Sequence, residues 1–385
     1  MRSFCLLLLV AACGDGSHAK PDAAVVADAS PDTGSGSGSA VSDLDTTFGT
    51  NGTASLTGTC QAFAVDTSDR SLVLAADGSG DATLSRLDAT GHADASYTPV
   101  AIGTGPIAFS KLFVLPSGKV LVTAIFAHNG QNDDPHIYRL TADGTIDLDL
   151  ALPSPFRPVI GVGERSDGGL DLVGPGPAFG TAFVFTRITA AGAVDTTFGS
   201  QGVAQPASTD IPPGYFPHAV SLGNGSFALS GATFKAVNQQ GGQGPVVGHL
   251  FLATDGAITK TTTVDNTQFL DLGSHDGKLY ALTDAFPGFG GAIARFGADL
   301  TADATFTSAE SSTYDPVYGL YNGGALAVAS DGSLLATNAK TLDRFHTDGT
   351  ARNQDADTFT YCGAAFDSHD RPLIASSTAV LRLEP

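Results

Sequence analysis

One unit recurs along the chain from Asp43 to the end: a short apolar segment, a turn and a second apolar segment. The turns carry pairs such as Asp-Gly and Asn-Gly, which accept the positive φ of tight β-hairpins. Spacings of 48, 50, 57, 52, 55 and 39 residues separate the seven turns, which begin at Asp69, Ser117, Asp167, Asn224, Asp276, Asp331 and Asp370. A repeat of this length predicts a series of small β-sheets, each packed against its neighbours.

The choice of acidic residues also favours β structure. The chain has 39 acidic residues, and only Glu164, Glu310 and Glu384 are Glu, which leaves 36 Asp. Asp favours turns whereas Glu favours helices. With 47 Gly and 20 Pro, the composition indicates an all-β protein with many turns.

A second pattern is an arginine followed by an apolar residue after each hairpin, and only the fourth unit departs from it, with Phe251 instead. These arginines are Arg86, Arg139, Arg187, Arg295, Arg344 and Arg382. A residue repeated around the whole chain is unsuited to a single catalytic site. We therefore predict a structural role, in which each arginine pairs with a neighbouring Asp.

A third pattern is Asp45-Thr-Thr-Phe48-Gly49, nearly repeated at Asp195-Thr-Thr-Phe198-Gly199, with weaker copies near Tyr97 and Phe306. With this motif, residues 43–385 resemble the delta-60 repeat family of bacterial surface and secreted proteins. The resemblance rests on the pattern summed over all copies, and several units lack the full motif. It implies a β-propeller-like body and no defined reaction.

The repeat itself also predicts a propeller. Four short strands in about 50 residues suit one blade, and seven units predict seven blades. The chain ends on the third strand of a unit, Val380 to Leu383, while the Asp45 motif at the start is normally a fourth strand. We predict that this N-terminal strand completes the last blade, because the pairing leaves no long open edge.

Two cysteines favour the same closed arrangement. Cys60 precedes the first strand of unit one, and Cys362 lies at nearly the same place in unit seven. Even pairs of cysteines in exported proteins suggest a disulfide. We predict a Cys60–Cys362 bridge, the alternative being two buried free thiols.

The first residues have the pattern of an export signal. Arg2 provides a positive charge, and the apolar run from Phe4 to Val10 is too short to span a bilayer. The run leads into Val-Ala-Ala-Cys13, which resembles the lipobox of bacterial lipoproteins. The resemblance implies cleavage before Cys13 and lipidation of that cysteine, whereas an ordinary secretory signal would leave Cys13 without a role.

These features divide the chain into three parts. Residues 1–12 are the predicted lipoprotein signal peptide. Residues 13–42 comprise the lipidated Cys13 and a tether of Ala, Asp, Gly and Ser, which cannot bury enough apolar surface to offset its ordering entropy. Residues 43–385 form the propeller. Because Gly14 rather than Asp follows the cysteine, we expect lipid anchoring in the outer membrane of a bacterial cell envelope.

The net charge of −20 limits the partners. Nucleic acid is excluded as a sequence-independent partner, since no basic stripe is present to neutralise phosphates. We expect membrane contact through the lipid anchor only, a monomer, and an unknown extracytoplasmic protein, peptide or glycan as the partner.

Motifs of known chemistry are missing from the body of the sequence. There is no His-Glu-x-x-His, no phosphate-binding Gly-Lys-Ser/Thr loop and no Gly-x-Ser-x-Gly elbow. We predict no catalytic residues and no cofactor. Asp43, Asp45 and Asn51 weakly indicate calcium, although no complete Asp-x-Asp-x-Asn-Gly calcium loop is present.

Three regions of long or aromatic connections are the candidate ligand surface. They belong to the second-to-third and fourth-to-first connections, which share one face of a propeller. Loops on a rigid scaffold often carry binding residues, although ordinary loop variation is the alternative. The candidates are His128, Asp133, Asp134, His136, Tyr215, Phe216, Phe234, Phe286 and Phe289.

Two functions are compatible with these patterns. The first is a surface-tethered, non-catalytic binding or scaffold module that displays one propeller face. The alternative is a propeller hydrolase, lactonase or lyase that acts with Asp and His near the central channel. An enzyme should place titratable side chains with shifted pKa values at the channel, whereas a scaffold should place small and apolar residues there.

Overall fold

The computed structural model describes residues 43–128, 131–132, 135–152, 158–176, 183–206, 215–236, 243–285, 290–306, 310–311, 325–337, 341–356 and 361–385. Within these ranges the chain forms seven antiparallel sheets, the blades of a β-propeller. No helix in the described part of the chain is long and apolar enough to cross a membrane.

The first four blades follow one another in chain order. Blade 1 is completed before blade 2 begins, and β8 (Gln131–Asn132) is a short addition that pairs with β7 in blade 2. Blade 1 contains β2 (Thr59–Val65), β3 (Ser71–Ala76), β4 (Ala82–Leu87) and β5 (Val100–Gly103). Blade 2 contains β6 (Ile107–Val114), β7 (Val120–His128), β9 (His136–Leu140) and β10 (Ile146–Ala151). Blade 3 contains β11 (Gly161–Glu164), β12 (Leu170–Pro175), β13 (Phe183–Ile188) and β14 (Val203–Ala204). Blade 4 contains β15 (Tyr215–Gly223), β16 (Ser226–Ala236), β17 (Gln243–Thr254) and β18 (Ala257–Asp265).

The remaining three blades include the last one, which combines both ends of the described chain. Blade 5 contains β19 (Thr267–His275), β20 (Lys278–Ala285), β21 (Gly290–Phe296) and β22 (Glu310–Ser311). Blade 6 contains β23 (Ala325–Val328), β24 (Leu334–Thr337), β25 (Thr341–Phe345) and β26 (Ala351–Ala356). Blade 7 contains β27 (Tyr361–Phe366), β28 (Pro372–Ser376), β29 (Ala379–Arg382) and, as its fourth strand, β1 (Thr53–Ser55). Antiparallel pairing of β1 with β29 aligns Thr53 with Leu381 and Ser55 with Ala379.

The first strands of the blades surround a central channel. Most neighbouring first strands contact one another, β27 with β2 among them, so the last blade adjoins the first. The predicted disulfide is confirmed, because Cys60 on β2 is bonded to Cys362 on β27. This bond joins the innermost strands of blades 1 and 7 across a sequence separation of 302 residues.

The hydrophobic core lies between blades. Every residue of β3 and β28 is buried, as expected for second strands covered on both faces. One apolar cluster, for example, combines Leu72 and Leu84 of blade 1 with Val120 and Leu140 of blade 2. Each blade is therefore stabilised chiefly by its neighbours, which is why a repeat of this type needs several copies.

The hairpin turns are of two kinds. In blades 4 and 5 the turn is the residue pair alone, and both members have positive φ, as at Asn224 (51°) and Gly225 (73°). In the other five blades the predicted hairpin is present with a longer connection, which closes with a bond such as Leu115 N–H to Lys119 O. There a single residue, such as Gly118 (φ 80°), accepts positive φ.

Each of the six repeated arginines links its own blade to the next one, and blade 4, which has Phe251 at this position, lacks such a link. Arg86 Nε donates to Asp94 Oδ2 at 2.8 Å within blade 1, and its Nη1 donates to the carbonyl oxygen of Ala142 in blade 2. The acceptors reached in the next blade by Arg139, Arg187, Arg295, Arg344 and Arg382 are Ala190 O, Asp255 Oδ1, Thr347 O, Glu384 O and Ala89 O. Each guanidinium therefore binds a nearby carboxylate and also a group of the following blade.

In four blades the same guanidinium lies over an aromatic ring. The distances from Cζ to the ring centroid are 4.4, 4.4, 4.6 and 4.7 Å for Arg86 on Tyr97, Arg187 on Phe198, Arg295 on Phe306 and Arg382 on Phe48. These rings belong to the Asp-x-x-Phe/Tyr motif, so the second and third sequence patterns meet in space. Arg187 differs in its acid, because its Nε donates to Asp171, the residue directly across the β12–β13 ladder.

Candidate functional site

The two faces of the propeller differ in their connections. Neighbouring strands are antiparallel, so first-to-second and third-to-fourth connections lie at one end, here named the turn face. The remaining connections lie at the opposite end, here named the loop face. The first-to-second turns are all short, whereas fourth-to-first connections vary from residue 266 alone, between β18 and β19, to residues 312–324, between β22 and β23.

Side chains join the blades on the turn face. Asp69 of blade 1 accepts bonds from the amide (2.6 Å) and hydroxyl (2.8 Å) of Ser368 in blade 7. Asp370 accepts the same pair of bonds from Ser330, at 2.7 Å each, and Glu164 accepts the amide of Ser117 at 2.8 Å. Together with the arginine links, these bonds make the turn face a fixed framework.

Most of the predicted loop-face residues are not described. Asp133, Asp134, Phe286 and Phe289 lie outside the described residues. For His128, Tyr215, Phe216 and Phe234 the structure describes the backbone, in β7, β15 and β16, but not the side chains. These positions therefore stay predictions.

His136 is the one described side chain of that set. Its Nδ1 lies 3.2 Å from Asp149 Oδ1 on the neighbouring strand, and its ring stacks on Tyr138 with centroids 5.8 Å apart. An imidazole with one nitrogen beside a carboxylate keeps Nε2 available to a ligand.

A polar cluster that the sequence analysis did not predict lies midway along the channel strands. It consists of His218 on β15 and Asp271 on β19, and the positive charge of Lys111 on β6 acts on Asp271. Nδ1 of His218 lies 3.6 Å from Asp271 Oδ1, and the amide of Leu326 on β23 donates to Asp271 Oδ2 at 2.9 Å. The His218 and Asp271 side chains are 20% and 22% exposed, so both are partly accessible to solvent.

Opposing effects set the pKa of Asp271. Burial alone would raise it, but the imidazole of His218, the positive charge of Lys111 and the Leu326 amide outweigh burial and hold the pKa below its ordinary value. Asp271 is therefore an anion at neutral pH, so it is suited to orienting His218 rather than to donating a proton.

Comparison of equivalent positions on the first strands of the blades shows why this cluster is unusual. Measured by the strand pairing, Lys111 and Asp271 stand where four other blades carry Ala62, Gly161, Ala325 and Gly363. Aligning the six units that contain the arginine would have shown two charges at a position otherwise filled by Ala or Gly. The missed signal was this departure within the repeat rather than a known motif.

A second group of titratable residues lies on the turn face. Ligand atoms of Asp69, Asp367 and His369 lie within 4.8 Å of one another. Their polar atoms already have partners, because Ser368 and His369 bind Asp69, and Arg371 Nε donates to Asp367 at 2.7 Å. This group joins blades 1 and 7 and gives no support to a metal site.

Acid pH tests the carboxylates of the repeat. Bonds from the hydroxyl and amide of Ser96 lower the pKa of Asp94 from 3.8 to about 2, and those of Thr305 do the same for Asp303. Because these pKa values are lower in the folded protein than in the unfolded chain, their contribution to stability is complete above pH 3.8 and is lost as the pH falls towards 2. Unfolding in guanidinium chloride followed by circular dichroism should show a midpoint nearly constant from pH 7 to pH 5 and falling steadily from pH 4 to pH 2. A midpoint that rises below pH 4 would contradict this.

Comparisons with known proteins agree with the fold. A family model described as "Domain of unknown function (DUF5122) beta-propeller" matches residues 115–149, which run from the hairpin turn of blade 2 into its fourth strand. No curated protein sequence matches the chain. The match covers a small part of the chain, and it supports a β-propeller family.

Solved structures match over most of the length at low identity. A streptogramin B lyase structure has a TM-score of 0.51 at 16% identity and covers 86% of this chain and 96% of its own. Hydrazine synthase of Kuenenia stuttgartiensis has a TM-score of 0.55 at 8% identity, covering 85% and 96%. The Pan2 WD40 domain of Neurospora crassa has a TM-score of 0.52 at 9% identity, covering 85% and 90%. These similarities concern the fold alone, and they agree with the seven-bladed β-propeller that the strand pairing defines.

Proposed function

We propose that the protein is a membrane-tethered, non-catalytic binding or scaffold module that displays the loop face of its propeller to an extracytoplasmic protein, peptide or glycan. The observation that carries the proposal is the difference between the two faces. Arginine links and side-chain bonds between blades hold the turn face, including long third-to-fourth connections such as residues 88–99 and 189–202, while the loop face collects connections of unequal length. Rigid scaffolds with variable loops are a common basis for recognition.

The proposal includes an anchor. Its supports are the lipobox at Cys13, the polar tether up to residue 42 and the resemblance of the body to delta-60 repeat proteins of bacterial surfaces. We expect cleavage after residue 12, a palmitate-type lipid on Cys13, residence in the outer membrane and a monomeric body. In this arrangement the lipid, and not the acidic propeller, contacts the membrane.

The anchor is tested by Cys13→Ala in the full chain. The variant is expected to lose incorporation of labelled palmitate and to leave the membrane fraction, because one apolar segment of this length does not hold a protein in a bilayer. Cys60→Ala is the control, since its loss leaves the lipobox intact. Membrane residence of Cys13→Ala equal to that of the unaltered chain would contradict the anchor.

The display function is tested by site-specific photo-crosslinking in cells. A photoreactive residue at Tyr215 or Phe286 is expected to give a discrete crosslinked species, because Phe286 belongs to a loop-face connection and Tyr215 is the first residue of β15, next to another. The same residue at Gly118 or Asp167, on the turn face, is the control and should give none. Crosslinks of equal yield from both faces, or from the turn face alone, would contradict the proposal.

A second candidate function is an enzyme acting at the channel. The adjacency of His218 and Asp271 favours it, and lyases are among the proteins of similar fold. Assays for lactone opening and for elimination on uronic-acid polysaccharides test it directly. Turnover that His218→Asn abolishes would replace the binding module with an enzyme.

A further inference from the structure

The first hairpin of blade 4 combines an asparagine with a glycine in a two-residue turn. We propose that Asn224 is a site of spontaneous covalent modification, in which its side-chain amide becomes a carboxylate through a cyclic imide formed with Gly225. Water is the only co-reactant. The inference goes beyond the proposed function, because it concerns chemistry on the turn face and requires neither a partner nor the loop face.

The reaction is an attack within the chain. The Gly225 amide nitrogen loses its proton and bonds to Cγ of Asn224, while the bond from Cγ to Nδ2 breaks and that nitrogen takes up a proton and leaves as ammonia. Water then opens the five-membered imide at one of its two carbonyls. Opening at Cγ gives aspartate, and opening at the main-chain carbonyl of residue 224 gives isoaspartate, whose main chain runs through Cβ and Cγ. Because both reacting groups belong to adjacent residues, their orientation controls the rate.

Access to the two reacting groups is unhindered. Gly225 has no side chain to obstruct the approach of its nitrogen, and a glycine changes its main-chain conformation readily. Asn224 is exposed, so water reaches the side-chain amide and the imide that forms from it. The residue types and their exposure therefore favour the reaction.

The turn is one peptide rotation away from the geometry of the ring. Asn224 and Gly225 have φ values of 51° and 73°, as in a type I′ turn. Ring closure needs the Gly225 nitrogen on the same side as Cβ of Asn224, at a ψ of about −120°, which is the ψ of the first central residue of a type II′ turn. That residue has a φ of about +60°, so Asn224 keeps its own φ during the rotation. Both turn types close two-residue hairpins, so β15 and β16 stay paired.

Hydrogen bonds do not oppose this rotation. Among the residues that the structure describes, neither the amide of Gly225 nor the carbonyl oxygen of Asn224 has a hydrogen-bond partner. The amide of Asp255 donates to the carbonyl oxygen of Gly225 at 3.1 Å, but that oxygen belongs to the next peptide unit. The peptide between Asn224 and Gly225 is thus free to turn, and its nitrogen is free to react.

A second Asn-Gly pair on the same face provides a contrast. Asn51 and Gly52 also have positive φ, 53° and 87°, and Asn51 is exposed as well. The amide of Gly52, however, donates to the carbonyl oxygen of Phe48 at 2.9 Å. The same rotation at this position breaks a hydrogen bond. We therefore expect Asn224 to react faster than Asn51, although the two residue pairs are identical.

The modification adds a charge beside a link between blades. A Cβ atom added to Gly225 would lie 2.9 Å from Asp255 Oδ1 and 3.8 Å from Arg187 Nη2. Nη2 of Arg187 donates to Asp255 at 2.8 Å and so links blade 3 to blade 4. Either product adds a carboxylate to this turn, and isoaspartate also lengthens the main chain at its centre. The surroundings of the link therefore change as the protein ages.

Peptide mapping by mass spectrometry tests the inference on the purified full chain, incubated in the folded state in mildly alkaline buffer. The tryptic peptide with Asn224 should gain the mass that accompanies replacement of an amide by a carboxylate. Its rate should exceed that of the Asn51 peptide by roughly tenfold, the factor that corresponds to one typical hydrogen bond. Aspartate and isoaspartate should both form, because the imide opens at either carbonyl.

The unfolded chain is the control for intrinsic reactivity. In guanidinium chloride the Asn51 and Asn224 peptides should react at similar rates, since the hydrogen bond that distinguishes them is lost. The other two Asn-Gly pairs, at Asn129 and Asn322, lie outside the described residues and on different tryptic peptides. Asn224→Gln should stay unmodified at this position, because its longer side chain does not form the five-membered ring.

Two results would overturn the inference. One is a rate at Asn224 in the folded chain that is equal to or below the rate at Asn51. The other is aspartate at residue 224 without isoaspartate, since direct hydrolysis of the side-chain amide does not pass through the ring. Neither measurement depends on a variant that has to fold.

Discussion

Replacing Arg382 with Ala is expected to lower the free energy of unfolding by about 3 kcal/mol or more, the larger of the single-residue effects that we predict. Arg382 is buried, and its Nε donates to Asp45 Oδ2 at 2.8 Å. Its Nη1 donates to Ala89 O in blade 1 at 2.6 Å, and the guanidinium covers Phe48. Removing it leaves Asp45 as a buried carboxylate beside an orphaned carbonyl, where blade 7 meets blade 1.

Chemical denaturation monitored by circular dichroism measures this effect. Arg371, whose Nη1 lies 3.6 Å from the same Asp45 oxygen, compensates in part and keeps the effect moderate. Arg165→Ala is the matched control, since its pair with Asp167 is exposed and should contribute less than about 1 kcal/mol. Equal losses in the two variants would show that the repeated arginines do not hold the blades together.

Removing the disulfide with Cys60→Ala and Cys362→Ala together is expected to cost about 4–5 kcal/mol on the chain-entropy model. The bond closes a loop of 302 residues, nearly the whole propeller, so it restricts the unfolded chain strongly. Cys60 is also buried in an apolar cluster with Val73 and Val380, and alanine removes part of that packing.

Reduction separates the crosslink from the packing. A thiol reductant should lower the denaturation midpoint of the unaltered chain towards that of the double variant and should leave the double variant unchanged. The free energies are compared at one denaturant concentration inside both transitions, because the slope also changes when a crosslink is removed. An unaltered chain that reductant does not destabilise would contradict the predicted contribution.

Local patterns in the sequence were sufficient for the architecture. The hairpin turns from Asp69 to Asp370 marked seven sheets, because positive φ and apolar alternation are properties of a few adjacent residues. The unequal ends, an extra strand before Cys60 and a missing strand after Arg382, indicated which segments pair. The lengths of the hairpin connections did not follow from these local patterns, because they depend on bonds such as that between the Leu115 amide and the Lys119 carbonyl.

By itself, then, the sequence determined the number of blades, the pairing of both chain ends and the two cysteines that meet. The repetition of the arginines also indicated a structural role, but the sequence did not show that each arginine reaches the following blade. Only the tertiary structure decided which carboxylate each arginine binds and which side chains converge at the channel. His218 and Asp271 come from neighbouring blades and are separated by about fifty residues, and Lys111, whose charge acts on Asp271, comes from a third blade. Their proximity depends on the curvature of the ring, a property of the packing between all seven sheets that no local pattern encodes.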